Sequence, residues 1–222
     1  MVPANWKVAL GAFLEIYHAN ATHPQILKFT GDINAQTDIY DSHNRGIIPF
    51  GVPSPHLGKL RDPEAAAIGL IEFMGIDPEK LQISKEMKPR AYAAEVTRQY
   101  LNQNLELDCS AVSDTEMLDL INYLIFPNFI TFTSVTQPFE FRFRPYGNDP
   151  DSCIMEVLML QPCTSEVKPP AAKIHWLTSE ENWSDAPELR QAGPVLDQDD
   201  SNLLLLQKGL KASAKPGITL GK

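Results

Sequence analysis

Apolar side chains recur at helical spacing near the start of the chain, where Trp6, Leu10, Phe13, Leu14 and Tyr17 would bury one face of a helix that Asn5 caps. Residues 21–63 are rich in Pro, Gly, Asn and Asp and hold no period for long. Loops are expected there, with short strands near 27–30 and 38–41. Helical patterning returns over 63–74, where Ile68, Leu70, Ile71, Phe73 and Met74 supply an apolar side, and over 89–102. Ser113-Asp-Thr-Glu116 is a capping-box pattern, and Met117, Leu118, Leu120, Ile121 and Leu124 behind it predict a third helix.

The period then shortens. Residues 128–136, 139–144 and 153–160 are rich in β-branched and aromatic side chains, and Phe139, Phe141 and Phe143 alternate with Glu140, Arg142 and Arg144. That alternation predicts a sheet with one oily and one charged face, and the Gly147-Asn148 turn makes a hairpin of the last two strands. Residues 193–210 read as a loop feeding a helix, with aspartates at its start, four leucines and Gly209 near its stop. Residues from about 211 are expected to fray. Helices followed by a run of strands define an α+β class.

Composition narrows the function. The chain has 222 residues, 43% of them hydrophobic, enough for a sizeable core, and no apolar run of membrane-spanning length. A net charge of −9 argues against nucleic acid as a partner. The opening Met1-Val-Pro-Ala-Asn-Trp carries no basic and apolar leader, so a cytoplasmic location is expected. Cys109, Cys153 and Cys163 are too few and too irregular for a disulfide framework. No serine or cysteine stands in a recognisable nucleophile motif.

His18 and His23 carry the chemistry. Five residues on a continuous helix turn about 500°, so the two rings would diverge by roughly 140° unless the helix breaks between them. Asn20 and Pro24 make such a break, after which both imidazoles can face one ion. Glu15, one turn earlier, is placed to accept a hydrogen bond from an imidazole. A two-histidine site needs an anionic third ligand, and Asp197, Asp199 and Asp200 offer one, although acidic residues also commonly cap a helix start. His43, His56 and His175 lack a partner at ligand spacing, and core packing is the default for Phe126, Phe129, Phe132, Trp176 and Trp183.

These segments resemble the α subunits of Rieske-type aromatic-ring-hydroxylating oxygenases. The matching landmarks are Asn5-Trp6-Lys7, an acidic residue three before the first histidine, Tyr17-His18 and Thr22-His23. Further matches are Phe126-Pro127-Asn128, Arg142-Phe143-Arg144-Pro145-x-Gly147, and an aspartate followed by Asn202 and Gln207, a spacing that selects Asp199 over Asp200. The resemblance implies a helix-grip sheet wrapped on helices with a substrate cavity between them. It implies a mononuclear Fe(II) held by His18, His23 and Asp199, and it gives Glu15 the place of the acidic residue that carries electrons and hydrogen bonds between subunits. Naphthalene-type members have an aspartate there, so Glu15 departs from the pattern.

The implied activity is O2-dependent hydroxylation, as a cis-dihydroxylation, of an aromatic substrate. Electrons would come from NAD(P)H through a reductase and ferredoxin chain, in a homotrimer with or without a β subunit. A Rieske [2Fe–2S] cluster needs paired C-x-H and C-x-x-H ligands, and no cysteine here has a histidine two or three residues after it. Residues 1–222 are therefore expected to form the mononuclear non-haem iron catalytic domain, with the cluster on a separate domain or partner. The alternatives are a Rieske-type monooxygenase or demethylase and a non-catalytic carrier of hydrophobic ligands.

Overall fold

The computed structural model describes residues 1–80, 86–137, 139–160, 170–215 and 217–218. Asn5 caps the first helix, its side-chain oxygen accepting from Lys7 N at 3.0 Å, and α1 spans Trp6–Ala12. A single turn, α2 (Ala19–Thr22), leads into a 3-10 turn at Pro24–Ile26. The hairpin β1 (Gln36–Tyr40) and β2 (His43–Ile48) follows, then α3 (Pro63–Phe73), α4 (Pro89–Leu105) and α5 (Asp114–Leu118). Four strands, β3 (Leu120–Ile125), β4 (Phe129–Phe132), β5 (Phe139–Tyr146) and β6 (Asp149–Met159), precede the closing helix α6 (Ala192–Ala212).

All six strands form one antiparallel sheet in sequence order. Its register lines up Leu124, Ile130, Phe141 and Val157 on one face, the first three of them buried. The opposite face carries Arg142 and Arg144, both paired with Glu156, as the alternation over 139–144 implies. Helix α1 covers the oily face, with the Phe13 ring centroid 5.0 Å from Phe141 and 5.4 Å from Phe143. Helix α6 packs on α1, and the result is an α+β helix-grip fold.

Two apolar cores result. One joins α3, α4 and α5 to Phe29 and Phe50; the other joins α1 and α6 to β4, β5 and β6. Ile16 and Ala19, which flank His18, belong to the first, and Leu196 and Leu203, which flank Asp199, belong to the second. The histidine and aspartate segments therefore meet at the seam between the cores.

Several expected boundaries move. Helix α1 stops at Ala12, because its last turn tightens through Phe13 N→Leu10 O and Leu14 N→Gly11 O and the Phe13 carbonyl is taken by Asn122 Nδ2 at 3.2 Å. Tyr17, expected to be buried, is 77% exposed because the helical phase is lost before it. Residues 27–30 form no strand beyond a bridge between Thr30 and Phe50, whereas β2 arises in a stretch too polar to announce itself. Helix α5 ends at Leu118 because Asp119 turns inward, accepting Phe50 N at 2.9 Å and Arg90 Nη2 at 2.5 Å. Leu120, Ile121 and Leu124 consequently lie in β3.

Helix α6 begins at Ala192 rather than after the aspartates, so Asp197, Asp199 and Asp200 lie inside it and Gly209 does not end it. A close approach sets this start: a Cβ on Gly193 would sit 2.8 Å from the Ser184 Cα. Phe126 and Trp176, expected in the core, are 61% and 69% exposed, at a strand end and in a segment without regular structure. Cys163 lies outside the described residues.

Candidate metal centre

The break in the first helical segment is built by Glu15. Its Oε2 accepts His18 N at 3.2 Å and its Oε1 lies 2.7 Å from His18 Nδ1, so one carboxylate starts α2 and orients the ring. His18 stands at the N-cap of α2, not in the last turn of α1, and His23 is its C-cap. The His23 N–H closes the turn on the Ala19 carbonyl at 2.9 Å. The two rings are 5.2 Å apart and inclined at 75°. A one-turn helix with a histidine at each end solves the angular problem that a continuous helix poses.

Asp199 reaches them from α6. Its Oδ1 is 2.9 Å from His23 Nε2 and 3.5 Å from His18 Nε2, and the residue is 7% exposed. The three groups offer ligand atoms that all lie within 4.8 Å of one another, as no other group of three or more His, Cys, Asp and Glu does among the described residues. Neighbouring ligand atoms on one ion, with bonds of about 2.1 Å at right angles, are about 3 Å apart. The aspartate-to-histidine separations fit that spacing, and the donor set of two imidazoles and one carboxylate suits Fe(II) with positions left open.

The register of α6 is fixed by two side chains that follow Asp199 on the helix. Asn202 Nδ2 donates to Thr22 Oγ1 on α2. Gln207 Oε1 accepts Asn5 N at 3.1 Å, while its Nε2 donates to Asp151 Oδ1 at 2.7 Å. Asn202 and Gln207 thus tie α6 to both ends of the histidine-bearing segment and to β6. That explains in physical terms why their spacing from Asp199 matters.

Electrostatics follow from the closeness of these groups. Burial favours neutral Asp199, but the two imidazoles outweigh it and hold the carboxyl below the usual range. Glu15 is likewise opposed by burial and lowered by His18. Burial alone would lower His18, and the carboxylates of Asp199 and Glu15 instead push it up to about 9.

The adjacent aspartates do other work. Asp197 Oδ1 accepts Trp183 N at 2.5 Å and holds the 3-10 turn Trp183–Asp185 against α6. Asp200 points elsewhere: its Oδ1 is buried without a hydrogen-bond partner among the described residues, and burial raises its carboxyl. Of the remaining histidines, His43 Nδ1 accepts Phe126 N at 3.1 Å, His56 lies 3.5 Å from the buried Asp32, and His175 lies 3.1 Å from Glu188 at the surface. None reaches the cluster. Gln198, which stands in the pattern directly before Asp199 but carries no expected role, is a member of the site; its Oε1 is 2.8 Å from His23 Nδ1. Its adjacency to the carboxylate was the available signal.

An antiparallel sheet gripped by helices, with two histidines and a carboxylate facing one point at the seam, makes a candidate metal site on an α+β scaffold. The chain matches, over residues 1–222, the family model described as ring hydroxylating alpha subunit (catalytic domain), and it belongs to that family. No curated protein and no solved structure matches it. No helix among the described residues is long and apolar enough to cross a membrane.

Proposed function

We propose that this domain binds one Fe(II) through His18, His23 and Asp199 and hydroxylates an aromatic substrate with O2, adding both oxygen atoms in cis. The observation that carries the proposal is the meeting of His23 Nε2 and Asp199 Oδ1 at 2.9 Å across 176 residues, with His18 Nε2 on the same oxygen. When bound, the iron supplies open positions at which O2 is activated beside the ring to be attacked.

The residues have distinct tasks. His18 and His23 present their Nε2 atoms to the ion, and Asp199 supplies the negative ligand. Glu15 holds Nδ1 of His18 and stays partly exposed, its side chain 34% accessible, so it can face a neighbouring subunit. Electrons from NAD(P)H would arrive there through a reductase, a ferredoxin and a Rieske cluster on another domain or subunit of a homotrimer, with or without a β subunit. A cytoplasmic setting suits that donor chain.

The test supplies Fe(II)-loaded protein with a Rieske-containing donor domain, its reductase, NADH, 18O2 and a panel of aromatic substrates. The proposal expects a diol carrying two 18O atoms, and none when His18→Ala replaces the wild type. A single 18O atom would move the reaction to monooxygenation or demethylation. Unaltered substrate with iron retained would favour the carrier of hydrophobic ligands.

A further inference from the structure

We infer that Gln198 is a positioning residue for the metal site, a role that rests on the iron reading above. Its side-chain oxygen takes the Nδ1 proton of His23, which leaves Nε2 as the metal-facing atom, and Gln25 locks that oxygen in place.

An imidazole binds a metal through a nitrogen that carries no proton, so in the neutral ring the proton must sit on the other nitrogen. His23 is 3% exposed, and water cannot make that choice for it. Its Nδ1 lies 2.8 Å from Gln198 Oε1, an acceptor, while its Nε2 faces Asp199. An amide has two unlike ends, however. Turned over, Gln198 would offer its nitrogen to Nδ1, and the proton would move to Nε2 and block the metal side.

Gln25 prevents the turn. Its Nε2 donates to the same Gln198 oxygen at 2.7 Å, so one oxygen serves two donors and the amide nitrogen is kept away from the ring. The relay also has a sequence logic. Gln25 lies two residues after His23, in the turn Pro24–Ile26, and Gln198 lies one residue before Asp199 on α6. Each segment that brings a ligand therefore brings one half of the device.

The two histidines are served differently. His18 has an anion, Glu15, at its outer nitrogen, while His23 has a neutral amide. Asp199 and Glu15 together already match the charge of a divalent cation. A neutral amide on His23 fixes the ring without adding a further negative charge to the site.

The experiment titrates metal-free protein with Co(II), a probe that does not react with O2 on the time scale of the measurement, and reads both affinity and the visible ligand-field bands. Gln198→Leu, of similar size but without an acceptor, is expected to weaken Co(II) binding about 10–100-fold and shift the bands, an effect read separately from the few degrees by which the unpaired His23 N–H lowers the metal-free melting temperature. Gln198→Glu, which keeps an acceptor oxygen, is expected to bind at least as tightly as the wild type. Gln25→Leu should lose less than Gln198→Leu, and adding it to Gln198→Leu should cost nothing more. Wild-type affinity in Gln198→Leu, or equal weakening in Gln198→Glu, would overturn the inference while leaving the metal site standing. A wild-type protein that takes up no Co(II) would overturn both, and is a distinct result.

Discussion

Three aspartates on one helix, Asp197, Asp199 and Asp200, should respond in three different ways to removal of the carboxylate. Asp199 is buried between two imidazoles at 2.9 and 3.5 Å, so Asp199→Ala removes the one carboxylate of the proposed ligand set. Its cost in Fe(II) affinity should exceed the roughly 10–100-fold that loss of an outer partner produces. Asp197→Ala leaves the ligands in place but strips the partner from Trp183 N, 2.5 Å away, and from Ser184 N. A hydrogen bond to a charged acceptor, here only part-buried, is worth about 1–3 kcal/mol. At roughly 2–4 °C per kcal/mol for a chain of this size, the melting temperature should fall by about 2–12 °C. Asp200→Asn removes a charge that burial already disfavours and whose Oδ1 has no partner among the described residues, so stability should hold or rise. Anaerobic Fe(II) calorimetry and melting of the metal-free proteins separate the three. Metal loss in Asp200→Asn as severe as in Asp199→Ala would refute the placement of the ligand, and an unchanged melt in Asp197→Ala would refute the structural role of that side chain.

Other perturbations probe the surroundings. A Cβ on Gly46 would lie 2.3 Å from Asn122 Oδ1, and Asn122 is 4% exposed with its Nδ2 on the Phe13 carbonyl. Gly46→Ala should therefore cost about 1–3 kcal/mol, most of it recovered in Gly46→Ala/Asn122→Ala; equal melts of Gly46→Ala and wild type would count against the contact. Arg142, against some opposition from burial and with help from Arg144, holds Glu156 at about 2, below its ordinary 4.5. Its contribution to stability is thus complete above about pH 4.5 and lost as pH falls toward 2, and Glu156→Gln should flatten that acid limb in denaturation measured against pH. With iron occupancy equal, Glu15→Ala should lower NADH-driven turnover through an added Rieske domain far more than it lowers iron content, and unchanged turnover would remove Glu15 from the electron path.

Strong local patterns translated directly into structure. Alternating Phe and charged residues over 139–144 became β5, and Ser113 and Glu116 form the capping box in which each satisfies the other's backbone N–H. Boundaries failed where a tertiary partner outbid the local period. Asp119 stopped α5 because Arg90 and Phe50, both distant in sequence, needed its carboxylate. Packing of Gly193 on Ser184 extended α6 to Ala192, which periodicity among the leucines could not foretell. At the site, the need for a break between His18 and His23 was legible from helical geometry. Its form, a single turn capped by one histidine and ended by the other, depended on Glu15 bonding both the ring and the backbone of His18. The separate duties of Asp197, Asp199 and Asp200 were legible only through their spacing to Asn202 and Gln207, because neighbours on a helix differ by direction and not by composition.

The most direct test of the central claim is a count of iron. Metal-free wild-type protein and the variants His18→Ala, His23→Ala, His43→Ala and His56→Ala are loaded anaerobically with Fe(II), desalted and analysed for metal per chain. The geometry predicts about one Fe(II) per chain in the wild type, His43→Ala and His56→Ala, and close to none in His18→Ala and His23→Ala, with the metal-free fold intact in all five by circular dichroism. Equal iron in all five proteins would contradict the assignment of His18 and His23 as ligands and, with it, the iron-dependent chemistry proposed for this domain.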